Sequence, residues 1–251
     1  MARKVNPDEK QPFVSHLKEL RQRLVISLLS VCVAFAFTYF FRERVNVFLL
    51  QPFKKVMPPG SSFIFTGVTE AFLTYFKIWI LTAVTVASPV IIHQIWMFVS
   101  PGLYEKERRY VYPLIFWGSL LFAAGVVFCY FVVMPNLYRF FVSYASDFVI
   151  PMPDLKGYVS LTLKLLVIFG FLFELPLVAY FLAKVGILNH RFLAKKRRYA
   201  ILGAFILSAI ITPPDPVSQI LVAMPLWGLY ELSVVIARLF GKKEKTEDEG
   251  S

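Results

Sequence analysis

The sequence predicts an all-α membrane protein of six transmembrane helices, with both termini in the cytoplasm. Three observations predict it. Of 251 residues, 57% are apolar and only 17% charged, where a soluble domain carries about a quarter, and the mean hydropathy is +0.63. Six apolar runs approach or reach the roughly 17–25 residues that cross a bilayer. Lys and Arg are gathered on alternate connections between those runs.

The first run, "LVISLLSVCVAFAFTYFF" at 24–41, is too long for a signal-peptide apolar segment, and no small-residue cleavage site follows it. The second spans 78–99, the third 110–134 and the fourth about 165–182. The fifth, at 199–212, is short, and the sixth covers 217–239. The expected organisation is one membrane domain, 1–241, followed by a charged cytoplasmic tail, 242–251. Nineteen of the 27 Lys and Arg residues fall before the first run, in the 100–109 and 183–198 bridges and at the C-terminal end. Those segments are therefore assigned to the cytoplasm.

The outer connections 42–76 and 135–163 are long, Pro-containing and partly apolar, and should pack as caps. The last, "TPPDP", is minimal: Asp215 suits the N-cap of the sixth helix and Pro216 its first turn. From that turn to Glu231 is about 21–23 Å of helix, short of the roughly 30 Å hydrocarbon core. Either Glu231 lies within the membrane or the bilayer is thinned there. Pro89, Pro113, Pro176 and Pro225 fall in four of the helices and favour a curved scaffold over a straight bundle, although membrane helices also simply tolerate proline.

The charge of +11 does not indicate nucleic acid, because the basic residues lie between apolar runs and form no compact face. Cys32 and Cys129 lie inside apolar runs and read as small core residues. No metal-ligand spacing, phosphate loop, GxSxG or HExxH is present; no cofactor or metal is expected, and a membrane enzyme lacks any nucleophile–base set. His16, His93 and His190 are scattered and read as structural or solvated.

Two polar features remain. Glu174, in "FGFLFELPLV", is an acid at membrane depth, where insertion costs about 2.5–3.5 kcal/mol. It is either a hydrogen-bonded glutamate inside the bundle or a polar site for a partner or substrate. Before the first span, "QPFVSHLKELRQRL" places Phe13, Leu17, Leu20 and Leu24 on one face, an amphipathic surface helix over 13–23 that bends into the membrane. Glu19 is there most simply an i,i+4 partner of Arg23. The bridge "VSPGLYEKERR" at 99–109 holds Glu105 and Glu107 before an Arg pair, unusual on a cytoplasmic face.

"HLKELRQRL", "SPVIIHQIWMFVSPGLYEKERR", "FELP" and "TPPDPVSQ" occur in that order, and together they resemble the TatC family, the receptor subunit of the twin-arginine protein translocase, over roughly residues 11–241. The resemblance implies a signal-peptide receptor that performs no covalent chemistry. It binds Arg-Arg signal peptides of folded cargo at its cytoplasmic face and works in the bacterial cytoplasmic (inner) membrane, driven by the proton-motive force. It implies Glu107 as the principal carboxylate, Glu19 beside Arg21 as the second, and Phe98 as an aromatic contact; Glu105 stays outside the site. Glu174 matches the polar residue of the concave membrane face that meets TatA/TatB-type single-helix subunits, and self-association in a receptor complex is implied too. Gln219, Asp215 and Pro52 fall at family positions, where capping and turn roles explain Asp215 and Pro52 equally well. The alternative is a secondary transporter or proton-coupled channel with Glu174 as relay, for which repeated halves with matching broken helices are not found.

Overall fold

The computed structural model describes residues 13–58, 60–100, 111–146 and 151–241. The chain runs α1 (Phe13–Phe40), α2 (Arg42–Lys54), α3 (Glu70–Val99) and α4 (Val111–Phe128), then a π-helical turn (Cys129–Val133) into α5 (Met134–Val142). It continues as α6 (Leu155–Leu172), α7 (Leu175–Val185), α8 (His190–Lys195), α9 (Arg197–Ile211) and α10 (Pro216–Phe240). Among the described residues there is no strand; Ile64 and Asp154 form an isolated bridge. Five helical segments are long and apolar enough to cross a membrane: 15–40, 70–99, 111–142, 155–185 and 216–240. α9, at 15 residues, is shorter than these.

No boundary separates the surface helix expected over 13–23 from the first span. Residues 13–40 form one helix of 28 residues, about 42 Å at 1.5 Å per residue, because neither Pro nor Gly interrupts the passage from Arg23 into Leu24. Its outer face leaves Leu28, Val33 and Phe37 exposed, as lipid contact requires. Its inner face packs Ala34 against Ala83 and Ala87 of α3, small residues that let the two backbones come close. Cys129 takes the core place expected of it, whereas Cys32 is exposed on α1 and belongs to no core.

The third and fourth spans are longer and more broken than their sequence runs. Pro135, at the second position of α5, has no N–H, and its ring crowds the carbonyl four residues back. The helix widens just before it: the Met134 N–H reaches Cys129 O, five residues back, the spacing of a π turn. The fourth span opens instead at Phe173 and Glu174, between α6 and α7, directly ahead of Pro176. α3 and α10, by contrast, run on through Pro89 and Pro225.

The connections 42–76 and 135–163 do pack as caps. Phe53, Phe63, Tyr138 and Tyr158 form one aromatic cluster with ring centroids 5.0–5.5 Å apart, in the favourable range for such pairs. Tyr158 donates its hydroxyl to Leu49 O at 2.7 Å, and Trp79 Nε1 donates to Asn46 Oδ1 at 3.0 Å. Backbone bonds from Ile64 N to Pro153 O (3.1 Å) and from Leu155 N to Ile64 O (2.9 Å) tie one cap to the other. The Tyr158 hydroxyl and Leu49 carbonyl lie in the buried core, where each would be costly to leave unpaired. At the opposite end Trp96 meets Phe181 edge-on at 5.1 Å, joining the last turn of α3 to α7.

Candidate functional site

Two polar places stand out in this apolar scaffold. The first is the junction where the start of α1 crosses the end of α3. Helical spacing puts Glu19 and Arg23 on one face of α1, and Arg23 Nη2 donates to Glu19 Oε1 at 3.2 Å, the partner that the i,i+4 spacing suggests. The same guanidinium sends Nη1 to Gln94 Oε1 on α3, also at 3.2 Å. Gln94 is buried, and its Nε2 lies 3.2 Å from His93 Nδ1. One turn earlier on α1, His16 stacks on Phe98 with centroids 4.3 Å apart and planes 19° from parallel. His16 Nδ1 stands 3.9 Å from Glu19 Oε2. Glu19 and Phe98 are thereby brought to one place, with Phe98 half-buried; Arg21, two residues from Glu19, is exposed on the far side of α1. Glu107, like Glu105, lies outside the described residues.

The second place is the break at Glu174. Its carbonyl begins α7 by accepting from Val178 N at 2.9 Å, and its own N–H still reaches Phe171 O at 3.1 Å. The side chain turns inward. Oε1 is buried without a hydrogen-bond partner among the described residues, a situation that costs about 1–3 kcal/mol for a polar atom. Across from it α4 carries Gly118, where an added Cβ would stand 3.2 Å from Glu174 Oε2 and 3.2 Å from Ile92 Cγ2. The glycine gives the carboxyl room beside the α4 backbone. What the arrangement offers chemically is a hydrogen-bonding group at membrane depth in want of a partner.

The other anticipated positions are apart from both. Asp215 is the N-cap of α10: its Oδ1 accepts from Ser218 N at 2.7 Å, its Oδ2 takes the Ser218 hydroxyl, and its carbonyl accepts from Gln219 N at 3.2 Å. A cap of this kind stabilises a helix by about 1 kcal/mol, so the geometry gives Asp215 a structural task. Gln219 is half-buried one turn into the same helix, and Pro52 is buried inside α2, next to the aromatic cap.

Sequence reasoning missed Gln94, His16 and the pair Arg197–Glu231. Gln94 stood in plain view as an amide within the apolar run "VIIHQIW". The pair was legible from hairpin arithmetic, since Arg197 opens the 15-residue α9 and Glu231 is level with it on α10 after the tight turn at 212–215.

Comparison with known proteins agrees with this architecture. The family described as Sec-independent protein translocase protein (TatC) matches residues 15–225. The Sec-independent protein translocase protein TatC of Desulforapulum autotrophicum is 48% identical over 242 residues, covering 96% of this chain and 90% of that one. Its counterpart from Escherichia coli K12 is 37% identical over 242 residues, covering 96% and 94%. A crystal structure of the twin arginine translocase receptor TatC resembles the fold with a TM-score of 0.80 at 37% identity, covering 89% of this chain and 98% of that one. The chain belongs to the TatC family of Sec-independent protein translocase proteins, multi-pass membrane components of protein transport.

Proposed function

We propose that this protein is the signal-peptide receptor of a twin-arginine translocase in the bacterial inner membrane. In this reading the chain forms one domain of six spans, α9 being the short fifth. Both termini and the bridge at 101–110 are cytoplasmic, and the proline-bearing helices form a curved scaffold. Arg-Arg signal peptides of folded cargo bind where α1 meets α3, with Glu107 as the principal carboxylate, Glu19 beside Arg21 as the second, and Phe98 against the peptide's apolar part. Single-helix subunits of the TatA/TatB kind dock at Glu174, with Gln219 as a further membrane-embedded contact. Copies of the receptor associate, and the proton-motive force drives passage.

The observation that carries the reading is the carboxylate of Glu19, held by Arg23 at the α1–α3 junction, where α3 ends shortly before, in sequence, the segment that contains Glu107. Arg presents a planar fork that matches a carboxylate at two points, which an ammonium cannot do. In partly desolvated surroundings such a pair gains about 4 kcal/mol at an effective dielectric of 20, against about 1 in water. The interfacial setting is what makes carboxylates useful here.

The test is the affinity of the detergent-solubilised protein for an Arg-Arg signal peptide against the same peptide with Lys-Lys. The reading requires the first to bind at least tenfold more tightly, about 1.4 kcal/mol. Equal affinities would remove it.

A further inference from the structure

The carboxylate that the proposed reading offers to signal arginines already holds one of the chain's own. Arg23 takes Glu19 Oε1 with Nη2 and Gln94 Oε1 with Nη1, both at 3.2 Å. Among the described residues, Glu19 Oε2 has only His16 Nδ1 at 3.9 Å, beyond hydrogen-bond length, on the side of the His16–Phe98 stack. One oxygen is occupied by a guanidinium, and among the described residues the other has no hydrogen-bond partner.

We infer that Arg23 is an internal stand-in for a signal arginine: it occupies Glu19 in the unliganded receptor, an incoming guanidinium displaces it, and Gln94 retains it after release. The inference rests on the receptor reading and adds a regulator to that site. Three features carry it. The resident group has the same chemistry as the proposed guest, so whatever accommodates one suits the other. A two-point pair with an incoming fork needs both carboxylate oxygens, and Oε1 comes free only if Arg23 leaves it.

Third, the exchange favours the guest. Arg23 reaches Glu19 through a single contact of 3.2 Å, within one helix where i,i+4 pairs contribute little, whereas an incoming fork would meet both oxygens of the same carboxylate. The bond to Gln94 is worth keeping, because Gln94 is 7% exposed and a buried amide is penalised when unpaired. The released guanidinium therefore has a place to stay, and nothing buried is orphaned. In the resting state Arg23 cancels the Glu19 charge, leaving Lys18 and Arg21 nearby to repel stray cations. Arg23 thus sets how strongly a cationic peptide must bind to be accepted.

The test compares Arg23→Gln, Arg23→Lys, Glu19→Gln and Glu19→Gln/Arg23→Gln in full-length solubilised protein, using a fluorescent Arg-Arg peptide and its Lys-Lys analogue. Arg23→Gln should bind the Arg-Arg peptide roughly two- to fivefold more tightly, the scale of a single ion pair of this kind. The gain should vanish in the Glu19→Gln background, because it acts through that carboxylate. Arg23→Lys, which keeps the charge but cannot hold Glu19 and Gln94 together, should fall between wild type and Arg23→Gln. A purely structural Arg23 predicts weaker binding in every variant, and that result overturns the inference. So does a gain that persists undiminished without Glu19. If Arg23→Gln does not fold, Arg23→Lys decides alone: binding equal to or weaker than wild type sinks the stand-in. Wild-type protein that does not prefer Arg-Arg removes the receptor reading itself, whereas preference with an unimproved Arg23→Gln removes only this inference.

Discussion

Arg197 and Glu231 meet as a two-point fork, with Nε 2.7 Å from Oε1 and Nη2 3.0 Å from Oε2. The pair closes the open end of the α9–α10 hairpin, where the Tyr230 hydroxyl also reaches Leu193 O at 2.8 Å. A glutamate held in this way is paired whether the bilayer thins around the short hairpin or the side chain dips into it. The hairpin's two ends are thus fixed by different chemistry, an ion pair at one and the Asp215 cap at the other.

The Arg197 side chain is 50% exposed, so the pair's strength is limited. Arg197→Ala or Glu231→Ala should each destabilise the protein by up to about 1 kcal/mol, more at low salt than at high. The charge swap Arg197→Glu with Glu231→Arg should recover part of the loss. Thermal unfolding in detergent at two ionic strengths checks this, and a coupling energy of zero in the double-mutant cycle refutes it.

Packing between α4 and α6 gives a sharper prediction. A Cβ on Gly125 would stand 2.5 Å from Phe169 O and 2.9 Å from Phe173 Cβ, so Gly125→Ala must push two helices apart. The expected loss is about 1–3 kcal/mol. At Gly203 a Cβ meets nothing within 4 Å, so Gly203→Ala should unfold at or slightly above the wild-type temperature. Equal melting of the two variants would mean that α4 and α6 do not approach this closely.

The proposed six-span topology predicts opposite labelling of the two faces. Cys32 is exposed and is first replaced by Ser. An impermeant thiol reagent should then reach Ser62→Cys, exposed in the 42–76 connection, only from outside. Lys195→Cys, exposed at the end of α8, should react only from inside. Labelling of both from one side refutes the orientation.

Much of this was readable from residue order because a bilayer leaves few choices. The apolar runs had to be helices, since lipid satisfies no backbone group, and "TPPDPVSQ" announced a capped helix start. Less was readable where two remote segments decide the outcome. The π turn at 129–133 depends on Pro135 together with the Tyr130 hydroxyl, which bonds Phe48 O at 2.5 Å; nothing local to "CYFVV" signals it. The Tyr158–Leu49 bond links residues 109 apart, and the orphaned Glu174 oxygen depends on a glycine of another helix. Glu19 was legible because its partner is four residues away; Gln94, which completes the group from α3, was not.

Glu174 should act as a hydrogen-bonding group toward partner helices. Glu174→Gln keeps the shape and both hydrogen-bonding functions of an amide, and should cross-link to single-helix partners as wild type does. Glu174→Ala removes the group at a place where Oε1 has no partner inside the chain, and should lose that cross-link while the protein still inserts. Wild-type cross-linking by Glu174→Ala would show that the break serves the fold alone.

The bridge at 101–110 carries the most direct prediction, motivated by two acids, Glu105 and Glu107, ahead of Arg108 and Arg109 on a face where lysine and arginine prevail. A carboxylate at the membrane surface can hold a guanidinium at two points, and a lysine in its place repels it. Glu107→Ala and Glu107→Lys should therefore abolish binding of an Arg-Arg signal peptide without preventing insertion. Glu107→Gln should weaken binding less than Glu107→Lys, because an amide oxygen still accepts one hydrogen bond. Glu105, which the family resemblance leaves outside the site, should tolerate alanine. If Glu107 were only an exposed partner for the neighbouring arginines, its loss would change affinity by less than about 1 kcal/mol. Affinity for Arg-Arg against Lys-Lys peptides across these four variants decides. Normal binding by Glu107→Lys together with a defect in Glu105→Ala would assign the site to the other carboxylate.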